Sequence, residues 1–300
     1  MPALIESLDP AHEPDRDVRY HVAAALGEIA GERALEALLT NLDFARQPDP
    51  EARTDVALIL GTFRVAASLP ALLASLDPGR EPEFWNRGFV AMALGEIGDA
   101  VALPALVARL DPGSESMGWV RENVAQALGA IGDAAALPAL IPSLDPSRES
   151  NSLIRANVAQ ALGAIGDAAA LPALLASLVP AYEPDGYVRG RVAAALGKIG
   201  GERALAALLA SSNSTHEPDP GVRVRVTEAL EKIGGPKVLP ALPAMLAMLD
   251  PACGPDGKVS SLPAIAAELR GDVRRSAAEA LFRIYWRLGQ RTAFLLPEFT

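Results

Sequence analysis

The chain has 300 residues, half of them hydrophobic, which is enough to bury a sizeable core, and it carries a net charge of −10. Affinity for nucleic acids rests mostly on cationic groups that displace counterions, so nucleic acids and anionic membranes are disfavoured as partners. No stretch approaches the roughly 18 apolar residues of a membrane helix, and the N-terminus lacks the pattern of a secretory leader. Cys253 is the only cysteine, which excludes an intrachain disulfide. Together these features favour a cytoplasmic location.

An internal repeat of 34 residues dominates the sequence. The dipeptide Leu-Gly recurs at this interval from Leu26 to Leu196, and Leu230 continues the series with Glu231 in the place of the glycine. Fixed-period self-similarity of this kind is the signature of stacked two-helix or similar units. An arginine follows the same interval and reappears once more after an irregular gap: Arg19, Arg53, Arg87, Arg121, Arg155, Arg189, Arg223 and Arg274.

Taken in chain order, the repeat divides a predicted single domain, residues 1–300, into four parts. Residues 1–10 form an N-terminal half repeat, because they match only the second half of a later unit. Residues 11–251 hold seven repeats, residues 252–271 form an insertion, and residues 272–300 form a capping helix with an aromatic tail. Each end is open to two interpretations: a cap on the solenoid, or a surface for self-association. The half repeat is also consistent with a fragment of a longer protein.

One repeat is predicted to contain two short helices. In residues 120–144, apolar side chains recur every three or four residues up to Ile131 and again from Leu137, with a break at Gly132 and Asp133. Helices this short are marginal alone, so their apolar faces must be covered by neighbouring repeats. The expected fold is an all-α, right-handed α-solenoid of about eight HEAT-like repeats, roughly 70 to 80 Å long at the usual spacing of packed helices.

The consensus VRxxVAxALGxIGD followed by ALPALxxSLDP resembles the HEAT-like repeats of the phycobilin lyase type, and the resemblance covers almost the whole chain. It implies an α-solenoid. Proteins with such repeats serve unrelated functions, so the resemblance implies three options: bilin lyases or phycobilisome-associated subunits, the di-iron hydroxylase that acts on deoxyhypusine, and scaffolds or adaptors.

Two His-Glu pairs bear on the hydroxylase option, because in that family such pairs lie in helices just after the Val-Arg step and bind iron. Here His12-Glu13 and His216-Glu217 both precede a proline, in predicted loops that are six repeats, or roughly 50 to 60 Å, apart. No phosphate-binding glycine loop, catalytic triad or zinc-binding spacing occurs either. We therefore predict no catalytic residue, no metal and no cofactor, and that the chain is not an enzyme.

The arginine register has two possible roles. A second register holds aspartates such as Asp77, Asp111 and Asp145, and arginines alternating with them predict a structural ladder of ion pairs between successive repeats. The alternative is a row of arginines that binds anions, although the neighbouring carboxylates would cancel much of its field.

Large apolar side chains lie just before the arginine in several repeats. The residues at these positions vary from repeat to repeat, so the packing of the repeat does not require them. Stacked in register, they predict a stripe about 30 Å long for binding a protein or peptide. The alternative is that each side chain covers the first turn of its own helix. The candidate partner-binding residues are Phe84, Trp85, Met117, Trp119, Leu153, Tyr182 and Tyr187.

The leading hypothesis is therefore a non-enzymatic scaffold or adaptor that binds a protein or peptide partner along its repeat surface. The first alternative is a bilin lyase or a phycobilisome-associated factor. The second is an artificial or orphan repeat array without a natural ligand.

Overall fold

A computed structural model of the chain describes residues 1–29, 31–212 and 215–233, and all regular structure in these residues is helical. The predicted insertion at 252–271, the capping helix and tail at 272–300, and Arg274 lie outside the described residues. The helices pack into two compact units, Met1–Leu140 and a second unit that begins at Ile141. The all-α repeat fold is confirmed, while the single domain and the right-handed superhelix stay predictions.

Each of repeats one to six consists of a first helix and a shorter second helix, and the first helix of repeat seven is also described. The first helices, which we call A helices, are α2 Arg16–Ile29, α4 Pro50–Thr62, α6 Phe84–Ile97, α8 Gly118–Ile131, α10 Ser152–Ile165, α12 Gly186–Ile199 and α14 Pro220–Ile233. The second helices, called B helices, are α1 Pro2–Glu6, α3 Glu32–Leu42, α5 Leu69–Ser75, α7 Leu103–Leu110, α9 Leu137–Leu140, α11 Leu171–Ser177 and α13 Gly201–Ser211.

In repeats three to five, the turn from the A helix to its B helix is built by a glycine and an aspartate. Gly98 ends α6 with a φ of 77°, a left-handed conformation that glycine adopts without strain, and its N–H donates to the carbonyl of Leu94. Asp99 then accepts a hydrogen bond from the N–H of Val101 and starts a short 3₁₀ turn that leads into α7. This turn aims each B helix back along its A helix.

Proline fits the first turn of the B helices, because an N–H there would have no partner inside the helix. Pro104 in α7 occupies this place. Repeat four has a second proline, Pro142, one turn later, and here α9 ends at Leu140 and a 3₁₀ stretch, Ile141–Leu144, follows. A proline in a helix interior removes a hydrogen bond and clashes with the preceding turn, which explains this shortened helix.

The glycine of the Leu-Gly dipeptide lets successive A helices approach closely. A Cβ atom on Gly95 of α6 would lie 2.7 Å from the Cα atom of Ala127 in α8. Equivalent contacts at 2.7 to 2.8 Å pair Gly61 with Ala93, Gly163 with Ala195, and Gly197 with Ala229. The leucine beside each glycine is fully buried, as with Leu94. The dipeptide is therefore the point at which one repeat fits against the next.

We expect Gly95→Ala to destabilise the chain by about 1 to 3 kcal/mol, because the added methyl group meets backbone that cannot move freely. Urea unfolding followed by circular dichroism measures this change. Gly79→Ala is the matched control, since a Cβ there would have no atom closer than 3.5 Å. Equal stability of the two variants would show that the close approach does not constrain the fold.

Candidate functional site

The arginine of each repeat closes the loop that precedes its own A helix. The Nη1 atom of Arg87 donates to the carbonyl oxygens of Glu81 and Pro82, both at 2.9 Å. Arg189 makes the same two contacts with Glu183 and Pro184. The glutamate carbonyls are buried and the proline carbonyls partly so, and the guanidinium provides the donors that they need.

The same guanidinium also reaches forward to a buried glutamate in the loop of the next repeat. The Nε atom of Arg87 donates to Glu115 at 2.8 Å, and its Nη2 atom donates to the other carboxylate oxygen at 3.0 Å. This two-pronged geometry is the strongest form of the arginine–carboxylate pair. The equivalent pairs are Arg53 with Glu81, Arg155 with Glu183, and Arg189 with Glu217.

The acid partner of the arginines differs from the one predicted. The pairs use the glutamates, whereas Asp77, Asp111 and Asp145 stabilise turns by accepting a backbone N–H two residues further on. A short aspartate in this position satisfies its own loop and does not reach the arginine. The glutamates follow the same 34-residue interval as the aspartates, so the sequence offers both acids as partners without choosing between them.

The joint between repeats one and two departs from this pattern. Gln47 stands where the other loops have a glutamate, and Arg19 instead has Asp49 within 3.5 Å, while its buried Nε atom has no hydrogen-bond partner. On the neighbouring surface, Arg16 pairs with Asp55 at 3.0 Å and with Glu51 at 3.1 Å. The charge contact has moved from the interior to a half-exposed position.

Hydrogen bonds that Arg155 donates to the carboxylate of Glu183 raise the pKa of the arginine above its usual value, although burial opposes the shift. Glu217 has the same effect on the pKa of Arg189, again against the effect of burial. These arginines are therefore fixed as cations and fully engaged by protein groups. The alternative role, a row of arginines that binds anions, has no support in this geometry.

Four of the candidate partner-binding residues lie on the first compact unit. Trp85 and Trp119 occupy the second position of α6 and α8, and 41% and 40% of their surfaces are exposed. Phe84 lies edge-on to Trp85 with the ring centroids 4.8 Å apart, and Met117 is the exposed residue before α8. An apolar surface is therefore exposed at the starts of two adjacent A helices.

Trp119 packs against the preceding repeat. Its indole lies over Gly88 of α6, where a Cβ atom would come within 3.0 Å of the ring, and its edge meets Phe89 at 6.0 Å between centroids. The predicted alternative, in which each side chain covers the first turn of its own helix, therefore does not describe Trp119. Gly88 and Phe89 do not stand out in the sequence, because their role depends on a side chain of the neighbouring repeat.

The other three candidates lie on the second compact unit. Leu153 and Tyr187 occupy the second position of α10 and α12 and are half exposed, and Tyr182 lies in the preceding loop. Tyr187 is held within its own helix, because the guanidinium of Arg191 stacks over its ring at 5.1 Å and donates to its hydroxyl. Burial and the carboxylates of Asp145 and Glu183 raise the pKa of Tyr182, so its hydroxyl stays protonated. The continuous stripe stays a prediction.

In both histidine–glutamate pairs, the glutamate makes local contacts within the protein. Glu217 is buried and pairs with Arg189, while Glu13 accepts the backbone N–H of Asp15. In the described part of the chain, no group of three or more His, Cys, Asp or Glu side chains is placed to hold a metal ion. None of the helices there combines the length and the apolar character needed to cross a lipid bilayer.

Two-helix repeats joined by glycine contacts and buried ion pairs define a class of helical repeat proteins. The chain belongs to the HEAT-repeat family, whose model matches more than half of it, in overlapping segments at residues 40–117, 79–150, 116–181, 147–218 and 177–251. A model of the PBS lyase HEAT-like repeat matches residues 18–44, which confirms the resemblance seen in the sequence. No curated protein sequence matches the chain.

Three solved structures are similar to the chain. Human deoxyhypusine hydroxylase in complex with glycerol is 23% identical, with 95% of this chain and 96% of that chain covered and a TM-score of 0.39. The complex of CpcE and CpcF of phycocyanin lyase from Nostoc is 24% identical, with 83% and 94% covered and a TM-score of 0.44. Escherichia coli YibA is 15% identical, with 88% and 96% covered and a TM-score of 0.49. These likenesses show the fold alone.

The prediction that the chain is not an enzyme is corrected by this finding. Two of the proteins with the same fold are enzymes by name, a hydroxylase and a lyase. The prediction was wrong because it treated a repeat fold without a familiar motif as a non-catalytic one, and a fold does not decide function.

We expect Glu115→Ala to destabilise the chain by about 3 to 5 kcal/mol, since it leaves the buried guanidinium of Arg87 without its carboxylate. Urea unfolding monitored by circular dichroism gives the free energy of unfolding. Asp111→Asn is the control, because its side chain is exposed and asparagine can accept the same backbone N–H, so the cost stays within about 0.5 kcal/mol. A larger cost for the aspartate variant would favour the aspartate ladder instead.

Proposed function

We propose that the chain is a protein-binding module that takes a partner segment on the exposed face of its A helices. HEAT repeats generally mediate contacts between proteins, and this chain consists of them. The observation that supports the proposal most directly is the pair Trp85 and Trp119, which lie at equivalent positions of adjacent repeats with about two fifths of each side chain exposed.

The packing of Trp119 favours a binding role over a purely structural one. The indole is fixed against Gly88 and Phe89 on one side, while the rest of its surface faces solvent. A fixed aromatic side chain loses little conformational freedom when a partner covers it, which is why tryptophan and tyrosine are frequent at the energetic centres of interfaces. Met92 of α6 is half buried on the A helix that carries Phe89. A methionine side chain is flexible, so Met92 can fit partner side chains of different shapes.

The B helices offer a poorer surface. Their exposed positions in the repeats are mostly small or prolyl residues, for example Ala108 in α7 and Ala176 in α11. Small side chains provide little area that a partner could bury, so we place the contact on the A helices.

A double substitution, Trp85→Ala with Trp119→Ala, tests the proposal. We expect peptides selected for binding to the unaltered chain to lose about 2 kcal/mol or more of binding free energy, about thirtyfold in Kd, which is typical of hot-spot residues. Fluorescence anisotropy of the labelled peptides measures the affinity. The control is Val101→Ala with Val179→Ala, which removes two exposed apolar side chains from the connecting segments.

Circular dichroism of both variants is needed to show that the helices are retained, because Trp119 also packs on α6. Unchanged affinity of the tryptophan variant, or an equal loss in the valine control, would contradict the proposal.

A bilin-related role is the second candidate, supported by the match of the PBS lyase HEAT-like repeat to residues 18–44. That segment covers most of α2 and all of α3. Incubation of the chain with a free bilin tests this role, since a bound and ordered tetrapyrrole is expected to change its visible absorption spectrum. An unchanged spectrum, together with a bilin that separates from the protein on gel filtration, would remove this candidate.

A further inference from the structure

The second compact unit carries a groove of about 560 Å³ between α12 and α14, the A helices of repeats six and seven. Its floor is formed by small residues of α12, including Gly190 and Ala194. The side chain of Arg225 lies against this floor, since a Cβ atom on Gly190 would be 3.3 Å from its Cγ atom. The small residues of α12 leave the space that forms the groove, and Arg225 lies across part of its floor.

Four exposed cations surround the groove in a regular arrangement. Arg191 and Lys198 lie on α12, seven residues apart, so they share one helix face about 10 Å apart along the axis. Arg225 and Lys232 lie at the equivalent positions of α14, one repeat later. Adjacent packed helices are about 8 to 10 Å apart, so the four cations mark the corners of a rough square.

The packing of the repeat does not require these cations. Earlier A helices have Phe89 at the position of Arg191, and Glu28 and Glu96 at the position of Lys198. Lys198 is also the first lysine in a chain whose net charge is −10. The protein as a whole is acidic, so this concentration of positive charge is particular to α12 and α14.

The carboxylates in the groove do not neutralise the cations. Asp219 accepts the backbone N–H groups of Gly221 and Val222 at the start of α14, and Glu228 pairs with Arg225 at 2.8 Å. Against four cations these are two carboxylates, which leaves an excess of two positive charges. Lys198 and Lys232 line the groove and are exposed.

We propose that this groove binds an acidic segment of a partner protein, with its carboxylates against Arg191, Lys198, Arg225 and Lys232. On one face of an extended peptide, side chains recur about every 7 Å. Carboxylates two or three residues apart in such a peptide can therefore reach neighbouring cations of the square. Salt limits the range of the field to about 8 Å, so a short acidic peptide feels the local excess of positive charge. A nucleic acid, with a charge about every 1.7 Å, would extend over the acidic remainder of the protein.

This inference rests on the proposed protein-binding function. It adds a second binding surface and states that the partner segment there is acidic. The probe is a labelled peptide of about eight residues with alternating glutamate and serine, which extends over roughly 26 Å. Its Kd for the full chain is measured by fluorescence anisotropy at low and at high salt. The variant is Lys198→Gln with Lys232→Gln, two exposed residues whose replacement leaves the helices intact.

We expect this variant to weaken binding about tenfold at low salt, since two lost charge contacts amount to roughly 1.4 kcal/mol. The control, Arg80→Gln with Arg148→Gln, makes the same change of net charge at two exposed loop residues. Its effect should stay within about twofold, because those loops lie outside the groove.

Several results would overturn the proposal: no binding of the peptide at low salt, an equal loss in both variants, or equal affinity for a peptide of alternating lysine and serine. Stronger binding of a single-stranded oligonucleotide of similar length would assign the groove to nucleic acid instead. A dimer of the chain, seen by sedimentation and lost only in the lysine variant, would assign it to a second copy. The tryptophan variant should bind the acidic peptide normally, so failure here is distinguishable from failure of the proposed function.

Discussion

The buried arginine between two loops is the contact on which the rest of the structure depends. It satisfies the carbonyls of the loop before its own helix and, through a buried glutamate, fixes the loop of the next repeat. Removal of a charged partner from such a site leaves a desolvated ion, so the loss of either residue alone destabilises that joint. The glycine contacts between A helices set the distance between repeats, and the ion pairs hold their loops in register.

These two contacts use residues on one side of each A helix and leave the opposite side free to vary. Its character changes from repeat to repeat, with aromatic residues such as Trp85 and Trp119 on the first unit and cations such as Arg191 and Lys198 on the second. A constant interior with a variable exterior suits a protein whose surface is adapted to particular partners. A fold does not decide function, so the function of a repeat protein is sought in its variable side chains.

Much of the fold could be predicted from the sequence because its determinants are local and periodic. The breaks at glycine and aspartate and the helices on either side of them follow directly from the repeat. The pairing of Arg87 with Glu115 could not be chosen over the aspartates by register alone, because both acids recur at the same interval and only side-chain reach distinguishes them. Two features could not be predicted because their residues are far apart in the sequence and meet only when repeats stack. They are the contact of Trp119 with Gly88 and the square of cations.

The substitution of Gln47 for glutamate changes how one joint of the array responds to its surroundings. The other described pairs of this type are buried, where dissolved ions have little influence. Between repeats one and two the principal ion pair is Arg16 with Asp55, and the arginine is half exposed to solvent. The first repeat is thus attached by a contact that added salt weakens. We expect it to exchange its amide hydrogens faster as ionic strength rises, while the joints with a buried glutamate stay protected.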